Sequence, residues 1–137
     1  MNDPQENPQW NNLLRLATEA REKSYSPYSH YKVGAALLTT SGKIYTGCNI
    51  ENAAYTPSNC AERTAIFKAV SEGERDFVAI AVVTSNGVAP CGVCRQVMRE
   101  FAPDLAVIMG DTQGHYRVVT LQNLLPDSFG PENLETS

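Results

Sequence analysis

Two short segments organise this chain, Asn59-Cys60-Ala61-Glu62-Arg63 and Pro90-Cys91-Gly92-Val93-Cys94-Arg95-Gln96. They contain three of its four cysteines, and each opens a stretch whose apolar spacing predicts an amphipathic helix. A cysteine at a helix start favours the thiolate form, because the helix dipole and the unpaired N–H groups of the first turn stabilise negative charge. Thiolate is the form that binds metal, so the two segments predict a shared metal site.

The predicted metal ligands are Cys60, Cys91 and Cys94. Cys91 and Cys94 are three positions apart and therefore face the same side of their helix. Three thiolates leave a tetrahedral Zn²⁺ one ligand short, and an open position distinguishes a catalytic zinc from a structural one. We therefore expect one catalytic Zn²⁺ per chain.

The residues beside these ligands complete the predicted chemistry. Glu62 follows Cys60 by two positions and is expected next to the open coordination position, as a proton shuttle and not as a ligand. Three thiolates give the zinc centre a net negative charge, which weakens it as a Lewis acid. Compensation is expected from the two helix N-termini and from Arg63 and Gln96, whose side chains would donate to the sulfurs.

Length and composition limit the function classes. With 137 residues, 42% hydrophobic and 19% charged, the chain can build one ordinary core, so we expect a single domain over 1–137 with flexible ends at 1–8 and about 130–137. A net charge of -4 without a run of Lys or Arg argues against a nucleic-acid partner. No stretch approaches the roughly 18 apolar residues of a membrane span, and no secretory signal pattern is present. These features predict a cytoplasmic protein with reduced thiols.

Apolar periodicity and turn residues predict four helices and five strands. The first two strands meet at Ser41-Gly42 and should form an antiparallel hairpin. The connection over 111–115 is too short for a parallel crossover, so the last two strands should also be antiparallel. The predicted helices are 9–24, 60–70, 91–101 and 120–125, the last capped by Thr120, and the predicted strands are 31–39, 43–48, 77–84, 105–109 and 116–119.

The loop after the second strand carries candidate substrate contacts. Asn49 and Glu51 are two positions apart on an extended segment, so their side chains point to the same side and offer an amide and a carboxylate to vicinal hydroxyls such as those of a ribose. From the residues alone, the alternative that Asn49 stabilises a turn and Glu51 is solvated stays open. His30 is interpreted as a surface residue, and Cys48 as a buried small hydrophobic residue, not a fourth ligand.

The combination of motifs resembles the cytidine deaminase family, in its short, three-cysteine form that acts on free nucleosides. A Cys-x-Glu segment followed at a distance by Pro-Cys-x-x-Cys is the pattern of zinc deaminases in general, whereas Asn49-Ile50-Glu51-Asn52 beside it is more specific. The resemblance covers nearly the whole chain. Its motifs are Ser26-Pro27-Tyr28-Ser29, residues 47–55, Cys60-Ala61-Glu62-Arg63-Thr64-Ala65, Pro90-Cys91, Cys94-Arg95-Gln96-Val97 and Leu124-Leu125-Pro126.

Fold and function follow from the resemblance as expectations. It implies an α/β fold, a three-layer α/β/α sandwich around a mixed five-stranded sheet, and hydrolytic deamination of cytidine and 2′-deoxycytidine. It also implies ribose contacts from Asn49 and Glu51, a pyrimidine contact from the Ala61 backbone and an aromatic contact from Tyr31. The expected assembly is a homotetramer with shared active sites, to which Phe129 would contribute from a neighbouring chain.

Other functions remain in competition at this point. Within the same superfamily, the substrate could be a base-modified antibiotic such as blasticidin, or cytosine in a polynucleotide. Outside it, the Cys-x-x-Cys pair at a helix start suits a thiol–disulfide oxidoreductase, which leaves Glu62 and Cys60 unexplained. A structural zinc module would need Cys48 as its fourth ligand.

Overall fold

The computed structural model describes residues 7–134, and its centre is a five-stranded mixed sheet in the order β2-β1-β3-β4-β5. Only β3 and β4 pair in parallel, while the other three neighbouring pairs are antiparallel. The strands are β1 Gly34–Thr39, β2 Ile44–Cys48, β3 Phe77–Val83, β4 Ala106–Gly110 and β5 Tyr116–Thr120. The helices are α1 Pro8–Arg21, α2 Ala61–Ser71, α3 Gly92–Phe101 and the single turn α4 Leu121–Leu124, followed by a 3-10 turn at Pro131–Asn133.

Two hydrophobic clusters lie on opposite faces of this sheet and make three layers. Because successive side chains of a strand point to opposite faces, β1 contributes Ala36 and Leu38 to the α1 side and Ala35 and Leu37 to the other side. The α1 side is filled by Trp10, Leu13 and Ala17 of the helix; α2 and α3 cover the second face with Ala61, Ala65, Ile66, Ala69, Cys94 and Met98. The predicted α/β sandwich with its first hairpin and antiparallel last pair is therefore confirmed.

Helix α2 lies unusually close to β2 at Gly47. A methyl group added there would come 2.6 Å from the Ala61 carbonyl oxygen and 2.7 Å from the Ala65 amide nitrogen. Only glycine permits this approach, which fixes the first turn of α2 against the sheet.

Several local expectations are corrected. Strand β1 begins at Gly34 and not at Tyr31, because the side chain of Asn49 takes the Val33 amide and the Tyr31 carbonyl as partners. Thr120 occupies the N-cap position of α4, but its side chain makes no capping hydrogen bond. Cys48 is only half-buried, and its thiol donates to the Lys23 carbonyl at 3.4 Å.

The chain ends are partly described. Residues 1–6 and 135–137, where flexibility was expected, lie outside the described residues. From residue 7 onward the chain is anchored, since the Asn7 side chain accepts the Gln9 amide at 2.9 Å as the cap of α1. At the other end, Arg99 of α3 donates to the Ser128 hydroxyl at 2.7 Å and pairs with Glu132. No helix between residues 7 and 134 combines the length and apolarity that crossing a membrane requires.

Candidate active site

Three cysteine sulfurs converge where two helices begin. Cys60 is the N-cap residue of α2, and Cys91 is the N-cap residue of α3. Neither sulfur accepts a capping hydrogen bond from the backbone amides of its helix. Cys94, one turn into α3, is fully buried beneath them. The three sulfur atoms all lie within 4.8 Å of one another.

The spacing of these sulfurs fits a tetrahedral metal ion. Zinc–sulfur distances of about 2.3 Å in tetrahedral geometry place two sulfurs about 3.8 Å apart. The structure gives 3.8 Å between Cys60 and Cys91 and 3.4 Å between Cys91 and Cys94. A disulfide would require about 2.05 Å, and all four cysteines are free. Cys48 is not part of the cluster.

The sulfurs share protons in a way that favours a thiolate at Cys60. The hydrogen bond from Cys94 and then that from Arg63 outweigh burial and lower the pKa of Cys60 to about 5. The Cys60 sulfur and burial raise the pKa of Cys94, which makes Cys94 the donor of the pair. Binding a divalent cation would displace the remaining protons, because metals bind the thiolate form.

Arg63 and Gln96 take different positions relative to the sulfurs. The Arg63 guanidinium donates to the Cys60 sulfur at 3.3 Å, as a residue three positions further along a helix can do. Its Nε is the one buried side-chain N or O atom among residues 7–134 that lacks a hydrogen-bond partner. The expectation for Gln96 is wrong, because a residue two positions beyond Cys94 points to another face. Its amide instead donates to the Phe129 carbonyl at 2.9 Å.

Glu62 is a buried carboxyl group beside the cluster, with 3% of the residue exposed. Burial is the main reason that the pKa of Glu62 rises to about 7, and the negative charge of Cys60 adds to the effect. General acid–base groups are most effective when their pKa lies near the working pH. The position of Glu62 therefore suits a group that both accepts and donates a proton.

A cavity of about 400 Å³ opens onto this cluster, within the size range of small-molecule sites. Its lining joins Cys60, Cys91 and Glu62 at one end to Asn49 and Glu51 of the loop after β2. The predicted contacts Tyr31 and Ala61 also line it, together with Arg63, Ser29, Val33, Ser58, Asn59, Val82, Thr84, Val88, Ala89 and Pro90.

Asn49 and Glu51 line the cavity while also holding the neighbouring loop. The Asn49 side chain accepts the Val33 amide at 3.0 Å and donates to the Tyr31 carbonyl at 2.7 Å. Glu51 accepts the amides of Tyr28 and Ser29 at 3.0 and 3.1 Å and the Ser29 hydroxyl. The Ser29 hydrogen bonds hold the pKa of Glu51 below its usual range. Asn49 thus stabilises the turn and lines the cavity at the same time. The carboxylate of Glu51 holds the turn at Tyr28 and Ser29 and is not merely solvated.

Phe129 and Ser29 differ in their positions relative to the cavity. Phe129 is 56% exposed and is not among the residues that line the cavity of its own chain. Ser29, which the sequence analysis did not single out, joins the cavity lining to Glu51. The signal available in the sequence was its place in the Ser26-Pro27-Tyr28-Ser29 motif beside a predicted substrate loop.

Comparison with known families agrees with this geometry. Residues 8–110 match the family model of the cytidine and deoxycytidylate deaminase zinc-binding region. The chain belongs to the cytidine and deoxycytidylate deaminase family. The match and the three-sulfur geometry together identify its cofactor as zinc.

Individual relatives place the chain within the deaminase family. It is 54% identical over 125 residues to a cytidine deaminase of Halalkalibacterium halodurans, covering 89% of this chain and 95% of the relative. A crystal structure of cytidine deaminase from Burkholderia pseudomallei is similar with a TM-score of 0.84 and 52% identity, covering 87% of this chain and 98% of the other. A blasticidin-S deaminase of Bacillus cereus is 34% identical over 124 residues, covering 83% of this chain and 87% of the relative.

Proposed function

We propose that this protein deaminates cytidine and 2′-deoxycytidine by hydrolysis, which yields uridine or 2′-deoxyuridine and ammonia. One observation carries the proposal. A single cavity is lined by Cys60 and Cys91, two members of the three-sulfur cluster, by the buried carboxyl group of Glu62 and, further along its wall, by the amide–carboxylate pair Asn49 and Glu51. These side chains bring metal ligands, a proton shuttle and hydrogen-bond partners for sugar hydroxyls together in one place.

The metal end of the cavity has a defined division of roles. Cys60, Cys91 and Cys94 hold zinc, and Arg63 offsets part of the negative charge of the sulfurs through its hydrogen bond to Cys60. When bound, zinc lowers the pKa of a water molecule toward neutrality and so supplies a nucleophile at neutral pH. The buried Glu62 would move two protons: the first from the attacking water to N3 of the cytosine ring, and the second from the hydroxyl newly attached at C4 to the amino group, which would leave as ammonia.

The other end of the cavity recognises the sugar. Nδ2 of Asn49 has two hydrogens, of which the Tyr31 carbonyl takes one, and the second suits a ribose hydroxyl oxygen. The carboxylate of Glu51, held ionised by Ser29, accepts hydrogen bonds from sugar hydroxyls. The backbone of Ala61 contacts the pyrimidine, and the ring of Tyr31 forms part of the wall beside it.

The expected biological setting is pyrimidine salvage in the cytoplasm by a homotetramer. Apolar side chains that are exposed on the single chain, among them Phe67, Val93 and Phe129, support association with further copies. Phe129 is proposed to enter the active site of a neighbouring chain. The antibiotic-deaminating alternative is less favoured, because the blasticidin-S deaminase relative is 34% identical to this chain, whereas the cytidine deaminase of Halalkalibacterium halodurans is 54% identical.

A substrate panel combined with metal analysis tests the proposal. The purified protein should contain one zinc per chain and release ammonia from cytidine and 2′-deoxycytidine, but not from free cytosine, the 5′-phosphates or adenosine. Preferred turnover of blasticidin would support the alternative. Zinc-loaded protein that is inactive on every cytosine nucleoside would reject both.

A further inference from the structure

Tyr31 connects the two walls of the cavity through its hydroxyl group. Tyr31 precedes β1 and lines the cavity, and its hydroxyl donates to the Asn86 side-chain oxygen at 2.6 Å. Asn86 belongs to the loop of residues 84–90 that leads from β3 to the ligand Cys91. It is exposed and does not line the cavity, so it acts on a ligand through its hydrogen-bond partners Tyr31 and Thr84, which both line the cavity.

The Asn86 oxygen is itself held from the buried end of β3. It accepts a second hydrogen bond, at 3.3 Å, from the hydroxyl of Thr84, a residue that is 3% exposed. The Thr84 hydroxyl in turn accepts the Gly87 amide at 2.8 Å. The Asn86 oxygen, which accepts the Tyr31 hydroxyl, is therefore linked through Thr84 to the end of β3 and to the Gly87 amide of its own loop.

On the opposite side, the backbone of Tyr31 is tied to both residues proposed to bind the sugar. Its carbonyl accepts from Asn49 at 2.7 Å, and its amide donates at 3.1 Å to the hydroxyl of Ser29, which donates to Glu51. One continuous chain of hydrogen bonds thus runs from Thr84 through Asn86 and Tyr31 to the sugar-binding end.

We propose that Asn86 is a positioning residue for nucleoside binding, which fixes the Tyr31 side chain across the cavity and thereby aligns Asn49 and Glu51 with the loop that carries Cys91. This inference rests on the proposed function and adds a residue that contacts neither the metal nor the substrate. Its role requires only an acceptor oxygen, because both hydrogen bonds end on the side-chain oxygen and the side-chain nitrogen donates to no group among residues 7–134.

The test compares Asn86→Ala, Asn86→Asp, Tyr31→Phe and the double variant Asn86→Ala/Tyr31→Phe in the zinc-loaded protein. Asn86→Ala and Tyr31→Phe should each raise KM for cytidine about fivefold to tenfold, as expected for one lost hydrogen bond, and change kcat less than about twofold. The double variant should be no worse than either single variant, because both remove the same bond. Asn86→Asp keeps an acceptor oxygen and should restore KM to within about twofold of the wild-type value.

A control variant separates this bridge from general effects of substitution. Asn123→Ala alters an exposed asparagine of α4 whose side chain makes no hydrogen bond among residues 7–134. It should leave KM unchanged. Multiplicative effects in the double variant, a wild-type KM for Asn86→Ala, or an Asn86→Asp variant as impaired as Asn86→Ala would each overturn the proposal.

Hydrogen exchange provides a readout that does not depend on turnover. Asn86→Ala should increase deuterium uptake in peptides covering residues 29–33, and Asn86→Asp should not. If the wild-type protein deaminates no nucleoside, the proposed function fails, and the exchange data still decide whether Asn86 holds this loop. Unchanged uptake in Asn86→Ala would overturn the bridge itself.

Discussion

Replacing Gly47 by alanine should disturb the active site from outside it. The added methyl group would lie 2.6 Å from the Ala61 carbonyl oxygen, whereas ordinary contact begins at 3.4 Å. The first turn of α2 must therefore move away from β2 by about 0.8 Å. Overpacking of this kind typically costs about 1–3 kcal/mol of the free energy of unfolding. The moving turn carries Cys60 and Glu62, and a displacement near 1 Å can reduce turnover about 100-fold.

The measurement compares Gly47→Ala with Gly92→Ala in urea unfolding, zinc content and cytidine kinetics. Gly92 follows Cys91 at the start of α3, and a methyl group there meets no atom within 4 Å. Gly92→Ala should therefore keep or slightly increase the free energy of unfolding, since alanine is favoured over glycine in a helix. A Gly47→Ala variant that unfolds within about 0.5 kcal/mol of the wild type and keeps its kcat/KM would refute the close-contact argument.

Three further predictions concern the metal end of the site. Glu62→Gln should retain zinc and fold but lower kcat by at least about 10⁴-fold, since it removes a group that acts as both base and acid; near-normal kinetics in the zinc-loaded variant would remove Glu62 from the mechanism. Arg63→Ala should weaken zinc affinity about 10-fold to 100-fold, because the Cys60 sulfur loses its cationic donor. A competition titration with a chelator measures this affinity, and an unchanged value would contradict the role given to Arg63. Cys60→Ser should lose zinc and activity, whereas Cys48→Ser should keep both; equal zinc content in the two variants would contradict the assignment of the ligands.

The sequence predicted the sheet and the metal cluster well because both depend on local patterns. The apolar run of β3 and the short connection between β4 and β5 determine burial and strand direction without knowledge of the rest of the chain. Cys60 and Cys91 lie at helix starts. The apolar periodicity of the residues that follow each cysteine indicates where the helix begins.

Contacts that depend on side-chain direction were harder to predict. Arg63 and Gln96 both follow a ligand closely, yet only the spacing of three positions brings a helical side chain back to the ligand. Asn86 lies 55 residues from Tyr31 along the chain, and no periodicity relates the two. The start of β1 was misplaced for a similar reason, because the side chain of Asn49 competes for backbone groups that the strand pattern would otherwise use.

Cys60 and Cys91 occupy positions where serine, threonine, asparagine or aspartate would usually satisfy the free amides of a helix. Neither sulfur accepts such a capping hydrogen bond. A cation bound between the two sulfurs would join the N-terminal ends of α2 and α3. We therefore expect metal delivery to act as a late step of maturation: chelation should loosen the first turns of α2 and α3 together, and the recognition cavity should become fully formed only once the ion is in place.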